Sequence, residues 1–260
     1  MPSAAELLRE AGAAGLRGWD FGWIADRVRT VEPPWDFGAM SEALLGDGQV
    51  RVGLDMETGG GERLARLRWW APLMVATEAW LPNVPVAAER LAPCGVRVVL
   101  DEGAVDNVEQ ADGRSTGRLP FRTGAFDVVI NRHGAFVAAE VARVLRPGGT
   151  FLTQQEDSAS ARFHHLLGLE PPTAPVFDLD LATAQVTAAG LVVEETDRGQ
   201  VLSTFADIGA LAWYLRMVPW CVPGFTIGAH EAALAQLHGS EIRVASDRFW
   251  LRARTQEDAS

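Results

Sequence analysis

From Val50 onward, short apolar runs alternate with stretches whose apolar positions recur every three or four residues, and this rhythm sets the expected fold. Val50–Met56, Leu73–Thr77, Val96–Leu100, Phe126–Ile130, Thr150–Gln154 and Leu191–Glu195 read as strands. Glu62–Trp70, with Leu64 and Leu67 on one face, reads as a helix, as do Val84–Leu91, Ala135–Leu145 and Leu179–Ala189. The last strand is Phe249–Ala253, paired with Ile242–Ala245 and, in a hairpin-like return, antiparallel to Leu191–Glu195. Strands alternating with helices predict parallel pairing through right-handed crossovers, with helices on both faces. The expectation is a doubly wound, mostly parallel, seven-stranded α/β sheet whose ligands bind beyond the carboxyl ends of its strands.

Two segments lie outside this rhythm. Residues 1–48 read as short helices, Ala4–Ala11, Phe21–Val31 and Gly38–Leu45, broken at Gly18-Trp19-Asp20 and at Glu32-Pro33-Pro34-Trp35; Trp19, Trp23 and Trp35 give them something to pack with. They are predicted to form a helical lid on a domain spanning 49–260. A late helical insertion occupies about 206–240: helix Asp207–Met217, a proline-bounded loop from Pro219 to Phe225, and helix Ala229–Leu237.

Composition narrows the chemistry. A chain of 260 residues can bury its core as one α/β domain with additions. The net charge is -11, and all 23 basic residues are Arg. That field repels nucleic acid, and the absence of Lys excludes a lysine Schiff base. Cys94 and Cys221 stand alone, without metal-ligand spacing, which fits a reducing compartment. The first residues lack the basic start and apolar stretch of a secretory leader, and no apolar run is long enough to span a bilayer. The expectation is a cytoplasmic protein, monomer or homodimer, with no metal, no membrane and no nucleic acid, acting on a small molecule.

The strongest chemical signal is the strand that ends at Asp55 and runs into Glu57-Thr58-Gly59-Gly60-Gly61. Glycine lets the backbone approach a ligand closely, and the start of a helix favours the polar end of a nucleotide. The dinucleotide fingerprint needs a third glycine at position 64, where Leu64 stands, and this counts against NAD. Glu78 follows the second strand, 17 residues beyond Gly61, where a carboxylate can accept from ribose hydroxyls.

Three segments in order then carry a resemblance. Val52–Glu62, Leu119–Ile130 and Glu140–Phe151, the last containing Arg146-Pro147-Gly148-Gly149, resemble the first motif, the approach to the fourth strand, and the following helix, turn and fifth strand of class I S-adenosylmethionine-dependent methyltransferases. The resemblance covers about residues 50 to 155 and implies a Rossmann-like methyltransferase fold, S-adenosylmethionine as cofactor and S-adenosylhomocysteine as product. It implies that Asp55, Thr58, Gly59 and Gly61 meet the methionine half of the cofactor and that Glu78 holds the ribose. Either Asp101 or Asp112 faces the adenine, and Asn131 lies among the cofactor contacts. Glu57 replaces the first glycine of the usual motif and either tunes the site near the sulfonium or turns outward.

His133 follows the fourth of these strands, and an imidazole with an ordinary pKa of about 6.5 can take a proton from an acceptor. Methyl transfer needs mainly an in-line approach, so positioning alone can also suffice. Gln154 and its neighbours end the fifth strand, where amides can meet an acceptor. His164, Trp213, Tyr214, Trp220 and Phe225 are the expected acceptor-binding residues, and their ring systems suit a flat or aromatic acceptor, although aromatics at such spacing are as often core. Two other reactions remain open: a non-methylating reaction on the same fold, and an NAD-linked oxidation.

Overall fold

The computed structural model describes residues 2–16, 18–105, 107, 117–157, 160–170 and 177–257. Eight strands, β1 (Val28–Val31), β2 (Val52–Met56), β3 (Leu73–Glu78), β4 (Arg97–Leu100), β5 (Phe126–Arg132), β6 (Leu145–Glu156), β7 (Leu191–Phe205) and β8 (Ile242–Thr255), form one sheet in the order β1-β7-β8-β6-β5-β2-β3-β4. Pairing is parallel from β4 through β3, β2 and β5 to β6, and antiparallel between β6 and β8 and between β1 and β7. The chain winds from β2 outward to β4, then returns to β5 on the other side of β2. That reversal opens a crevice at the carboxyl ends of β2 and β5.

The helices are α1 (Ala4–Ala13), α2 (Phe37–Leu45), α3 (Val84–Leu91), α4 (Ala138–Val144), α5 (Ser160–Leu166), α6 (Leu179–Ala188), α7 (Ile208–Met217) and α8 (Ile227–Gln236). Three expectations are corrected. The predicted helix Phe21–Val31 is a short 3-10 turn, Gly22–Ile24, followed by β1: the β-branched Val28, Thr30 and Val31 favour an extended chain, and β7 supplies a partner edge. This strand makes the sheet eight-stranded instead of seven. The predicted helix Glu62–Trp70 shrinks to the 3-10 turn Leu64–Arg66, because Leu64 is its one fully buried anchor and Leu67 already leaves in extended conformation. The two strands expected near the end are one continuous β8, so there is no hairpin between them.

The described chain divides into two compact units. One comprises Pro34–Glu156, Phe177–Arg198 and Arg248–Ser260, and the other Met1–Pro33, Asp157–Val176 and Gly199–Asp247. Residues 34–48, grouped by the sequence with the N-terminal helices, thus fall in the first unit. In that unit every residue of β5 from Phe126 to Asn131 is buried, as a central parallel strand requires. Val129 joins a core with Leu54, Phe151 and the helices α4 and α6, while Val128 and Ile130 join another with Met74, Leu91 and Leu152, on the opposite face. Asp127 ties the amino ends of the strands together. One oxygen accepts from the amides of Arg51 and Val52, and the other meets Arg146 Nε at 2.8 Å. In the second unit Ser3 and Glu6 close a capping box at α1, and Asp207 caps α7 while holding Arg27 at 2.7 Å. Its core gathers Leu7, Leu8, Ala11, Leu211, Trp213 and Leu215.

Candidate functional site

The crevice at the end of β2 is built from one strand-to-turn passage. Asp55 lies near the end of β2, and the chain then turns with Thr58 N–H donating to Thr77 O (2.8 Å) and Gly61 N–H to Thr58 O (3.1 Å). Gly59 and Gly61 have φ of 64° and 78°. At Gly61 the requirement is double, since an added Cβ would also stand 2.8 Å from the Leu91 side chain of α3. Glycine there brings the turn down onto α3. On its outer side the turn is clasped by Arg90, which donates to Gly60 O and pairs with Glu62 at 2.6 Å.

Four carboxyl groups meet at this end of the sheet. Burial pushes Asp55 up to about 7, with the neighbouring Thr58 opposing and the charge of Glu78 adding. Burial likewise raises Glu78, which is 2 % exposed and accepts from the amides of Trp80 (2.8 Å) and Gly59. Asp101, just past β4, is raised by burial against hydrogen bonds from Thr77 and its neighbours. Glu57 is pushed up to about 8, first by burial, then by Asp101 and Glu78. What opposes these shifts is hydrogen bonding; no cation is among the causes. Among the described residues no three His, Cys, Asp or Glu side chains are grouped to hold a metal ion.

A cavity of about 540 Å³ adjoins the turn. Asp55, Glu57, Thr58 and Ile130 form its floor, α2 contributes Phe37 and Ser41, and Arg63, Arg66, Arg68 and Arg132 bring positive charge to its wall. The arginines after the turn were not singled out from the sequence. Arg63, Arg66 and Arg68 lie in the stretch expected to be a helix, which the structure shows as the short 3-10 turn Leu64–Arg66.

At the end of β5 the structure separates residues that the sequence placed together. Asn131 is fully buried: its Oδ1 accepts from Thr153 (3.0 Å) and Gln155 (2.6 Å), and its Nδ2 reaches Met56 O at 3.4 Å. It is a strut between β2, β5 and β6, with these polar atoms turned to protein. His133 stands in the left-handed region, φ 63°, with its amide on Gln154 O (2.9 Å). Trp35 Nε1, which can only donate, gives its hydrogen to Gln154 Oε1 at 2.8 Å. The Gln154 amide is thereby oriented, and its Nε2 faces His133 Nε2 at 3.1 Å. That imidazole nitrogen must accept, so the ring is neutral with its proton on Nδ1. The ring reaches solvent, yet the crowding of protein around it, and then Arg132, Arg248 and Arg63, hold its pKa well below the usual value.

Of the two candidates for the adenine, Asp101 lies beside Glu78 and Glu57, and Asp112 lies outside the described residues. The expected acceptor-binding residues belong to the other unit. Trp213 is 1 % exposed, stacks on Trp23 at 5.6 Å and serves the core; its indole N–H has no partner there. Tyr214 packs against Phe163 and Phe205, Phe225 stacks on His230, and His164 is buried. Trp220 is exposed, edge-on to Trp19.

No family model and no curated protein matches the sequence. Solved structures do match. A protein from Bacillus halodurans assigned as a methyltransferase superimposes with a TM-score of 0.56 at 17% identity, over 84% of this chain and 97% of that one. A structure concerned with converting a disulfide bond into a thioacetal group during echinomycin biosynthesis gives 0.52 at 15%, over 94% and 88%. The [4+2]-cyclase SpnF gives 0.50 at 15%, over 98% of both chains. Likeness at such identities speaks for the fold, and one fold serves more than one reaction.

Proposed function

We propose that this chain, which has the class I S-adenosylmethionine-dependent methyltransferase fold, binds S-adenosylmethionine at the carboxyl ends of β2 and β3 and passes its methyl group to a small-molecule nucleophile. The observation that carries the reading is the meeting of Asp55, near the end of β2, and Glu78, at the end of β3, beside the glycine turn at the sheet's point of reversal, where burial raises both carboxyls. A sulfonium and an ammonium group favour their ionised forms. The residues at the methionine end fit the cofactor: the turn at Gly59 and Gly61 leaves its backbone open, and Asp55 and Thr58 line the adjoining cavity.

When bound, the cofactor supplies a methyl carbon that an oxygen, nitrogen or carbon lone pair attacks as the carbon–sulfur bond breaks. The protein's part is to orient and to exclude water. Asp55 and Glu78 fix the cofactor's direction, and the end of β5 sets the approach of the acceptor. Because His133 Nε2 already accepts from Gln154, a base role would require it to give up that bond, and positioning is the mechanism we favour. A small acceptor agrees with a formal net charge of -11. Calorimetry with S-adenosylhomocysteine on the purified chain tests the reading, with Asp55→Ala and Glu78→Ala each expected to weaken binding by about tenfold or more. If neither the parent chain nor a variant with a less crowded turn binds, the reading fails.

The likeness to a cyclase supports a second reading, in which the same site aids a reaction that transfers no methyl group. Product mass with and without the methyl donor separates the two.

A further inference from the structure

Glu57 is a residue for which the fold makes unusual room. Its backbone is left-handed, φ 56°, a conformation that side chains other than those of glycine and asparagine rarely adopt. The side chain does not turn out to solvent. A Cβ placed on Gly134 would stand 2.4 Å from Glu57 Cβ and 2.7 Å from its Cγ, and one placed on Gly103 would lie 3.6 Å from Glu57 Oε1. One side chain thus runs from the loop after β5 to the loop after β4, across the carboxyl ends of β2 and β3, through a channel kept clear by two glycines. At its far end the carboxyl hydrogen-bonds Asp101 and accepts from the backbone N–H of Ala79, with Glu78 close enough to act on its charge.

In a crevice of this topology the carboxylate ending the second parallel strand receives ribose hydroxyls, and the base lies beyond it toward the next strand. The proposed reading assigns those two places to Glu78 and Asp101, and the Glu57 carboxyl acts on both. We infer that Glu57 fills the nucleoside end of the crevice as a built-in plug, offering Asp101 and Glu78 the polar company that ribose hydroxyls would give, so that a nucleoside-bearing ligand enters only when this side chain swings aside. Burial and the two neighbouring carboxylates keep a proton on Glu57, which lets it donate to Asp101 and hold the plug in place at neutral pH. The inference rests on the proposed reading of the site and adds that the free chain is self-occluded.

The test is calorimetry of S-adenosylhomocysteine binding to the parent chain, Glu57→Gly, Glu57→Asn and Glu57→Gln, with circular dichroism and melting temperature to confirm folding. Glycine and asparagine both suit the left-handed backbone and both shorten the side chain; glutamine keeps its length. Glu57→Gly and Glu57→Asn are expected to bind about tenfold tighter than the parent, and Glu57→Gln within about threefold of it. Parent binding equal to or tighter than that of both shortened variants overturns the plug and leaves the cofactor reading standing. Binding by Glu57→Gln as tight as by Glu57→Gly also overturns it, since charge and not bulk would then govern entry. Failure of all four folded chains to bind overturns both.

Discussion

Asp55 and Glu57 carry the pH behaviour of the site. With Asp55 pushed up to about 7 by burial, a bound cation lowers its pKa and a proton leaves as the ligand enters. Affinity for S-adenosylmethionine is therefore expected to rise from pH 6 to pH 8, and that for the uncharged thioether of S-adenosylhomocysteine to rise less. Glu57, facing Asp101 and Glu78 and raised to about 8, extends the same trend upward. Arg63 and Arg132 on the cavity wall keep their charge throughout, so they set an offset and not a slope. Calorimetry at several pH values, in buffers of different ionisation enthalpy, counts the released protons; a flat profile would remove the electrostatic argument. His133 behaves in the opposite sense. Its ring is expected to stay neutral at pH 6, with the proton on Nδ1, which the nitrogen chemical shifts of the imidazole report directly. In turnover with a methyl acceptor, His133→Ala is expected to lose less than about tenfold, whereas a loss of 10² or more would restore the general base.

Among the elements, Asp127 is the residue whose removal should cost most for its size. It is buried and serves the amides of Arg51 and Val52 at the start of β2 and the side chain of Arg146 at the start of β6. Asp127→Ala leaves two backbone donors without an acceptor, for an expected loss of about 2–3 kcal/mol in denaturant titration. Asp127→Asn, which keeps one acceptor, is expected to lose less. The central strands and α3 were readable, because an uninterrupted apolar run or a repeat of three to four residues is a local signal. The helix after the glycine turn was misread since only two apolar residues stood at helical spacing, too few to anchor it. β1 was misread because its reason for being extended, a partner edge on β7 far along the chain, is not local. The same difference runs through the site. Asp55, the glycine turn and Glu78 announce themselves by spacing, but the direction of the Glu57 side chain depends on Gly103 and Gly134, which come from other loops. The coupling of Trp35 to His133 passes through Gln154 and has no counterpart in any motif.

For the whole molecule, the raised carboxyls make stability a function of pH, and the sign can be worked through. Asp55 and Glu57 have ordinary values near 4 in the unfolded chain and about 7 and about 8 in the folded one. Between those limits the folded state binds more protons, so stability is full below the unfolded value and is lost as pH rises through 7 and 8. Glu78 and Asp101, also raised by burial, add in the same direction. Glu140 and Asp207, lowered in the folded state, act only in acid, where they lose stability as pH falls. His133, held well below its usual value, favours the folded state as pH rises toward 6.5 and adds nothing beyond. These contributions place the maximum close to the ordinary carboxyl range, with stability already declining by pH 6, and the self-repulsion of a chain at -11 deepens the decline on the alkaline side. The melting temperature of the free protein should therefore fall from pH 6 to pH 9, by about 2–4 °C for each kcal/mol lost. Two additions separate the site from the general charge. Glu57→Gln should flatten the slope, since it removes one titrating carboxyl without changing its bulk. A saturating concentration of S-adenosylmethionine should raise the melting temperature more at pH 8 than at pH 6, because the sulfonium then meets ionised carboxylates. Added salt should weaken the part due to surface repulsion while leaving the buried cluster's share largely intact. A melting temperature that climbs steadily to pH 9 would mean that these carboxyls are ionised in the folded protein at neutral pH. The protonated Glu57 that holds Asp101 would then be the wrong description of the crevice.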